Sequence, residues 1–181
     1  DMPEWLVPSL ERAFGDDWIA EGAAMAGRPS LDLRANALKA SPEKVIKSLA
    51  RFSPQPTTIA PFGITMPAGP RDARTPNVTT DEGYQKGWFE VQDQGSQIVA
   101  MLAGAREGEQ VLDLCAGAGG KTLALAATMG NKGQIFAYDA DRSRLAPIYD
   151  RLKRNMVRNA QVRSPQDGAL DDLVGKMVRA V

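Results

Sequence analysis

Glu109–Asp141, EQVLDLCAGAGGKTLALAATMGNKGQIFAYDAD, alternates short apolar runs with glycines and ends on acids. Val111 to Leu114 is a short apolar run of the kind found in a strand buried on both faces. The turn after it holds Gly117, Gly119 and Gly120. Without a Cβ, such residues bend sharply and let a ligand lie against backbone N–H groups. Thr122 to Met129 favours a helix, and Gly130 is a natural C-terminal stop. Gln134 to Tyr138 is a second apolar strand with Asp139 at its tip. Strand, glycine turn, helix, strand and acid make half of a doubly wound nucleotide-binding unit, with the ligand at the carboxyl ends of the strands.

Two common phosphate motifs nearly fit and fail. A P-loop needs G-x-x-x-x-G-K-[ST]; Gly120, Lys121 and Thr122 match, but Cys115 occupies the first glycine position. A dinucleotide fingerprint needs G-x-G-x-x-G; Gly117 and Gly119 match, but Thr122 occupies the third. Asp139 lies about 20 residues beyond the glycines, where a carboxylate can accept both hydroxyls of an adenosine ribose. A cofactor without phosphates needs no phosphate cradle, and S-adenosylmethionine is such a cofactor. A tight turn with no ligand is the alternative.

VLDLCAGAGGKT resembles the first motif of the Sun/Fmu-type RNA cytosine-5 methyltransferases, LDLCAAPGGKT. GWFEVQDQGSQIVAML (Gly87 to Leu102) resembles that family's G-x-x-x-VQD-x-x-SQ segment, and Asp139 with Arg144 and Leu145 resembles its D-x-x-x-x-RL. The likeness runs over roughly residues 84 to 163. Gly117 and Ala118 stand where many members have Ala-Pro. The resemblance implies a Rossmann-like, S-adenosylmethionine-dependent methyltransferase domain acting on carbon 5 of cytosine in RNA, ribosomal RNA above all. It assigns cofactor contacts to Cys115, Ala116, Gly117, Ala118, Gly119, Gly120, Lys121, Asp139, Arg144 and Asp167. Asp167 would accept from the adenine amino group; starting a helix over Gly168 to Val174 is an equal reading for it. Family chemistry uses two cysteines, a nucleophile that attacks carbon 6 and a second, in D-A-P-C, that assists release. Both are expected beyond Val181, and the sheet to be cut short there. Cys115, the one cysteine here, is expected to be a small packed residue beside the cofactor and not the nucleophile. A non-catalytic module binding cofactor and RNA, or a methyltransferase acting on protein or a small molecule, are the rival readings.

Composition narrows the classes further. The 181 residues carry 22 Lys plus Arg and 22 Asp plus Glu, so net charge does not point to nucleic acid. No run is long and apolar enough to span a membrane, and the first residues lack the pattern of a signal peptide. One cysteine and no histidine exclude an internal disulfide, a cysteine zinc cluster and histidine-based catalysis. A reducing, cytoplasmic location is expected.

Ahead of the cofactor unit, helix-like segments cover residues 2 to 26, with Trp5 and Trp18 expected in the core. Leu31 to Arg34 alternates like a strand. Ser41 and Pro42 start a helix running to about Phe52, and Thr57 to Ile59 and Gly63 to Met66 are short strand candidates. This order predicts a small two-layer α/β plait, RRM-like, over residues 1–75, which in the resembled family helps hold RNA. Residues 76–86 are expected to be a linker and 87–181 the methyltransferase domain. The proline-rich run 67–83 carries Arg71 and Arg74 and reads equally as a solvated connection or an RNA-contacting loop. Trp88 to Val91 is a strand, and Asp93 caps the helix after it. From Arg142 to Arg163 seven basic residues (142, 144, 151, 153, 154, 158, 163) face one acid, Asp150. This predicts one basic helix with Pro147 in its first turn, its outer face either solvated or touching RNA phosphates. Gln161 and Val162 read as a third strand.

Overall fold

The computed structural model describes residues 2–69, 75–176 and 179–181; Arg71 and Arg74 lie outside them. The chain divides into two units. The first is Asp1–Ser30 with Pro67–Thr75. Its helices are α1 (Val7–Phe14) and α2 (Trp18–Met25), with Leu10 buried. Trp5 is not in the core as expected: it is 78% exposed. It sits in a 3-10 turn, Glu4–Leu6, ahead of α1, and three residues per turn break the phase that helical spacing assumes.

The second unit, Leu31–Met66 with Pro76–Val181, contains two sheets. The elements of the first are β1 (Leu31–Ala35), α3 (Pro42–Ser48), β2 (Gln55–Pro56), β3 (Gly63–Met66), α4 (Glu82–Gln85) and β4 (Phe89–Val91). The strands run antiparallel in the order β2-β3-β1-β4. Ser41 caps α3 by accepting from the Lys44 N–H, and Pro42 fills its first turn, as the sequence predicts. Val45 and Leu49 pack onto Leu33, Ile64, Met66 and Phe89. The strand expected at Thr57–Ile59 falls instead on Gln55–Pro56. The Thr57 hydroxyl donates to the Ala60 carbonyl at 2.8 Å, and the Gly63 N–H donates to the same oxygen. This local turn takes the segment out of the ladder.

Phe89–Val91, read above as the beginning of the cofactor domain, hydrogen-bonds to β1 as the edge of the first sheet. Gly87, just ahead of this strand, allows a different close approach, to the backbone of Arg154. Its φ is +70°, and a Cβ there would lie 2.2 Å from the Arg154 carbonyl oxygen.

The remaining elements are α5 (Gln94–Leu102), β5 (Gln110–Asp113), α6 (Gly120–Thr128), β6 (Gln134–Tyr138), α7 (Arg142–Leu145), α8 (Ile148–Arg154), β7 (Ala160–Arg163) and β8 (Arg179–Ala180). Asp93 caps α5 as expected. The second sheet is parallel, in the order β7-β6-β5-β8. Its core on one side is Val111, Leu125, Ala126, Met129 and Ile135, and a second cluster gathers Ala116, Ala137, Leu145 and Ile148. Two expectations change here. The basic helix is two helices, because Pro147 has no N–H to donate into the turn before it. The flank of β5 is also covered rather than bare: β8 pairs with it, and Val181 donates to the Leu112 carbonyl and accepts from the Leu114 N–H.

Gly87→Ala should cost well over the ~1 kcal/mol of an ordinary glycine replacement, since it adds a backbone collision to a disfavoured φ. Thermal melting checks this; a Tm within a degree or two of the parent would contradict the packing described.

Candidate functional site

The glycine turn lies between β5 and α6, at the carboxyl end of the sheet. Asp113 ends β5 and is fully buried; its Oδ2 accepts from the Thr122 hydroxyl at 2.6 Å. Its Oδ1 has no partner among the described residues. Burial pushes its carboxyl above the usual range, against the Thr122 hydrogen bond and the Lys121 charge. Sequence reasoning passed over Asp113, although an acid inside a buried apolar strand is itself a signal.

The turn is fastened to β6. The Ala116 N–H donates to the Tyr138 carbonyl at 2.8 Å, and the Gly117 N–H donates to Asp139 Oδ2 at 2.9 Å. Asp139 is 4% exposed, and its Oδ1 accepts from the Asp141 N–H at 2.9 Å. A Cβ on Gly117 would stand 3.7 Å from Asp139 Oδ2 and 3.8 Å from Arg144 Nη2, so Gly117, Asp139 and Arg144 converge. Gly119, at φ +84°, lies flat on α8: a Cβ would be 2.6 Å from Ile148 Cγ1. Gly120 and Lys121 open α6, and Ala118 is half-buried in the turn.

Two of the residues named from sequence are placed differently. Cys115 is exposed, not packed; the strand ends at Asp113 and the turn swings its side chain outward. Asp167 is exposed in the loop after β7, and no hydrogen bond or ion pair ties it to the turn among the described residues. It does not start the expected helix either, because only a 3-10 turn, Asp171–Leu173, forms there.

The basic segment is also re-sorted. Glu90 on β4 is 1% exposed and accepts from both Arg151 and Arg154 of α8. Arg151 approaches Glu90 Oε2 through Nη2 at 2.8 Å and Nε at 3.2 Å, and its Nη1 donates to the Ala118 carbonyl at 2.7 Å. Asn155 donates to Glu90, and Asn36 donates to the Asn155 and Gly87 carbonyls. Arg34, opposite Glu90 in the β1–β4 register, is buried and donates through Nε to Gln92. Burial lowers the Arg34 pKa to about 10 despite Glu90. Arg163 pairs with Asp172. The outward cations are therefore Arg142, Arg144, Lys153 and Arg158, all exposed and without an ion pair among the described residues. Glu90 was invisible as a partner because the pairing spans more than 60 residues.

Comparison with known proteins decides the family. Residues 100–179 match the model of the 16S rRNA methyltransferase RsmB/F, and residues 2–69 match the ferredoxin-like domain of RsmF/B-like methyltransferases. The chain belongs to the RsmB/F family. This RsmB/F chain is 37% identical, over 149 residues, to a probable ribosomal RNA small subunit methyltransferase B of Synechocystis sp., covering 81% of itself and 32% of that protein. It spans about a third of the length of the curated relatives it matches. Among solved structures, PH0851 superposes with a TM-score of 0.81 at 28% identity, over 91% of this chain and 36% of that one. NSun6 from Pyrococcus horikoshii, solved with SFG, superposes with a TM-score of 0.80 at 19% identity, over 94% and 67%. The ferredoxin-like and Rossmann-like architecture read from the sequence is thus the family's own.

Burial alone would raise the Glu90 carboxyl, but the Arg151 charge and the bonds from Asn155, Arg154 and Arg151 outweigh it and hold it below the usual range. A depressed folded pKa gives stability that is present above the unfolded value, about 4.3, and lost as pH falls through the folded value. Urea unfolding between pH 7 and pH 3 should therefore show Glu90→Gln less stable at neutrality by roughly 3 kcal/mol, with a shallower acid limb. Parallel acid limbs in the two proteins would show that Glu90 is not held in this way.

Proposed function

We propose that the full-length protein transfers a methyl group from S-adenosylmethionine to carbon 5 of a cytosine in ribosomal RNA, in the cytoplasm. The observation that carries the reading is the state of Asp139. Its carboxylate takes one backbone N–H on each oxygen, and a carboxylate offers about four lone-pair sites. The sites that remain suit two neighbouring hydroxyls, as on a ribose, at the mouth of a glycine turn. These residues fit such a group: the acid is fixed before a ligand arrives, and Gly117 and Arg144 border it. When bound, S-adenosylmethionine supplies a methyl group on a sulfonium centre.

Cys115, Ala116, Gly117, Ala118, Gly119, Gly120 and Lys121 would form the floor of that site, and Arg144 its edge. Asp167, on the loop after β7, would reach the adenine. Arg142, Arg144, Lys153 and Arg158 would meet RNA phosphates. A hollow of about 210 Å³ is lined by Arg142, Tyr149 and Ser164. An aromatic ring and a guanidinium at one opening suit an unstacked base. The ferredoxin-like module would help to grip the RNA and so offset the few kcal/mol needed to expose the target base.

Asp139→Ala in the full-length protein should lose about 1.5–3 kcal/mol of cofactor affinity, roughly ten- to a hundred-fold in Kd, as read by calorimetric titration. Unchanged Kd with the fold intact would remove Asp139 from the site. Labelled methyl groups transferred to unmodified ribosomal RNA should be recovered as 5-methylcytosine; recovery in another base would refute the cytosine assignment.

A further inference from the structure

A glycine turn of this kind is usually explained by its own residues, yet here it is also held from outside. Side chains bond the backbone of residues 115–121 at two points among the described residues: Asp139 at the Gly117 N–H and Arg151 at the Ala118 carbonyl. The Ala118 carbonyl fixes the peptide plane it shares with Gly119, whose N–H donates to the Ala116 carbonyl at 2.8 Å. Ile148, one turn before Arg151 on α8, presses on Gly119 from the same side. Arg151 cannot swing away, because the rest of its fork lies on Glu90, a buried carboxylate of the first sheet.

We infer that Arg151 is a positioning residue for the cofactor turn, anchored through Glu90 to the edge strand of the ferredoxin-like sheet. The inference rests on the proposed assignment of that turn to S-adenosylmethionine. Backbone groups that must face a ligand in one orientation are set by this strut before the ligand arrives, and pre-organisation of that kind appears as affinity. Arg154 supplies the internal comparison. It also pairs with Glu90 and covers the Tyr84 ring, but it makes no bond to the turn.

The experiment compares Arg151→Met with Arg154→Met in the full-length protein. Each removes one guanidinium from Glu90, so each should lower Tm. Only Arg151→Met frees the Ala118 carbonyl. It should speed amide exchange across residues 116–121 without cofactor and raise the Kd for S-adenosylmethionine about ten-fold, the equilibrium weight of one charge-assisted hydrogen bond. Arg154→Met should leave both unchanged. Arg151→Lys keeps a cation on Glu90 but cannot also reach Ala118, and should reproduce the pattern if the Met variant does not fold. Equal effects of the two Met substitutions on exchange and Kd, or none from Arg151→Met, would overturn the inference while the cofactor reading stands. Failure of the unsubstituted protein to bind S-adenosylmethionine, with the exchange difference intact, would instead refute the cofactor assignment and with it the claim about affinity.

Discussion

The carboxylate of Glu90 is the constraint on which the second unit depends. It is buried at the edge of an antiparallel sheet and faces guanidinium groups of a helix that belongs to a parallel one. A lone charge in that place would be prohibitive; two forks and the Asn155 amide make it tolerable. Asn36 and Lys39 then tie β1 and the loop after it to the end of α8 through backbone carbonyls. Gly87 lets the chain pass close enough for this to happen. A buried pair of this kind fixes one arrangement of elements: a slip of register in β4 would turn Glu90 to the other face and strand the arginines.

The same constraint reaches the candidate site. Arg151 joins Glu90 to the Ala118 carbonyl, so the seat of the turn and the junction of the two sheets are built on one side chain. The VQD-x-x-SQ segment serves the same junction. Gln92 is buried and accepts from Arg34, Asp93 caps α5, and Gln97 donates to the carbonyls of Leu33 and Gln92. A motif that reads as a family signature is, physically, the hinge-point where strand β4 becomes helix α5.

What the sequence disclosed was local. The apolar run, the glycines and the acid at Asp139 specify strand, turn and strand with no information from elsewhere, and the caps at Ser41 and Asp93 need only the next few residues. What stayed hidden depended on distant partners or on competing local bonds. Phe89–Val91 is an unmistakable strand, but nothing local says that β1 is its neighbour. Arg151 and Arg154 look like a cationic surface until Glu90 is folded against them. Thr57 has the composition of a strand residue, yet its hydroxyl finds the Ala60 carbonyl first. Pro147 was tolerable at the start of one helix and instead separates two. Cys115, expected in the packed interior, is turned outward by the bend after Asp113.

If Glu90 and Arg151 act as one unit across the two sheets, their substitutions must couple. A double-mutant cycle built from the parent, Glu90→Gln, Arg151→Met and the double substitution, followed by urea unfolding at pH 7, tests it most directly. Strong coupling is expected: the double variant should be more stable than the sum of the single losses by at least ~1.5 kcal/mol, because each single substitution already takes one charged partner from the buried pair. Additivity within about 0.3 kcal/mol would show that Glu90 and Arg151 are independent residues.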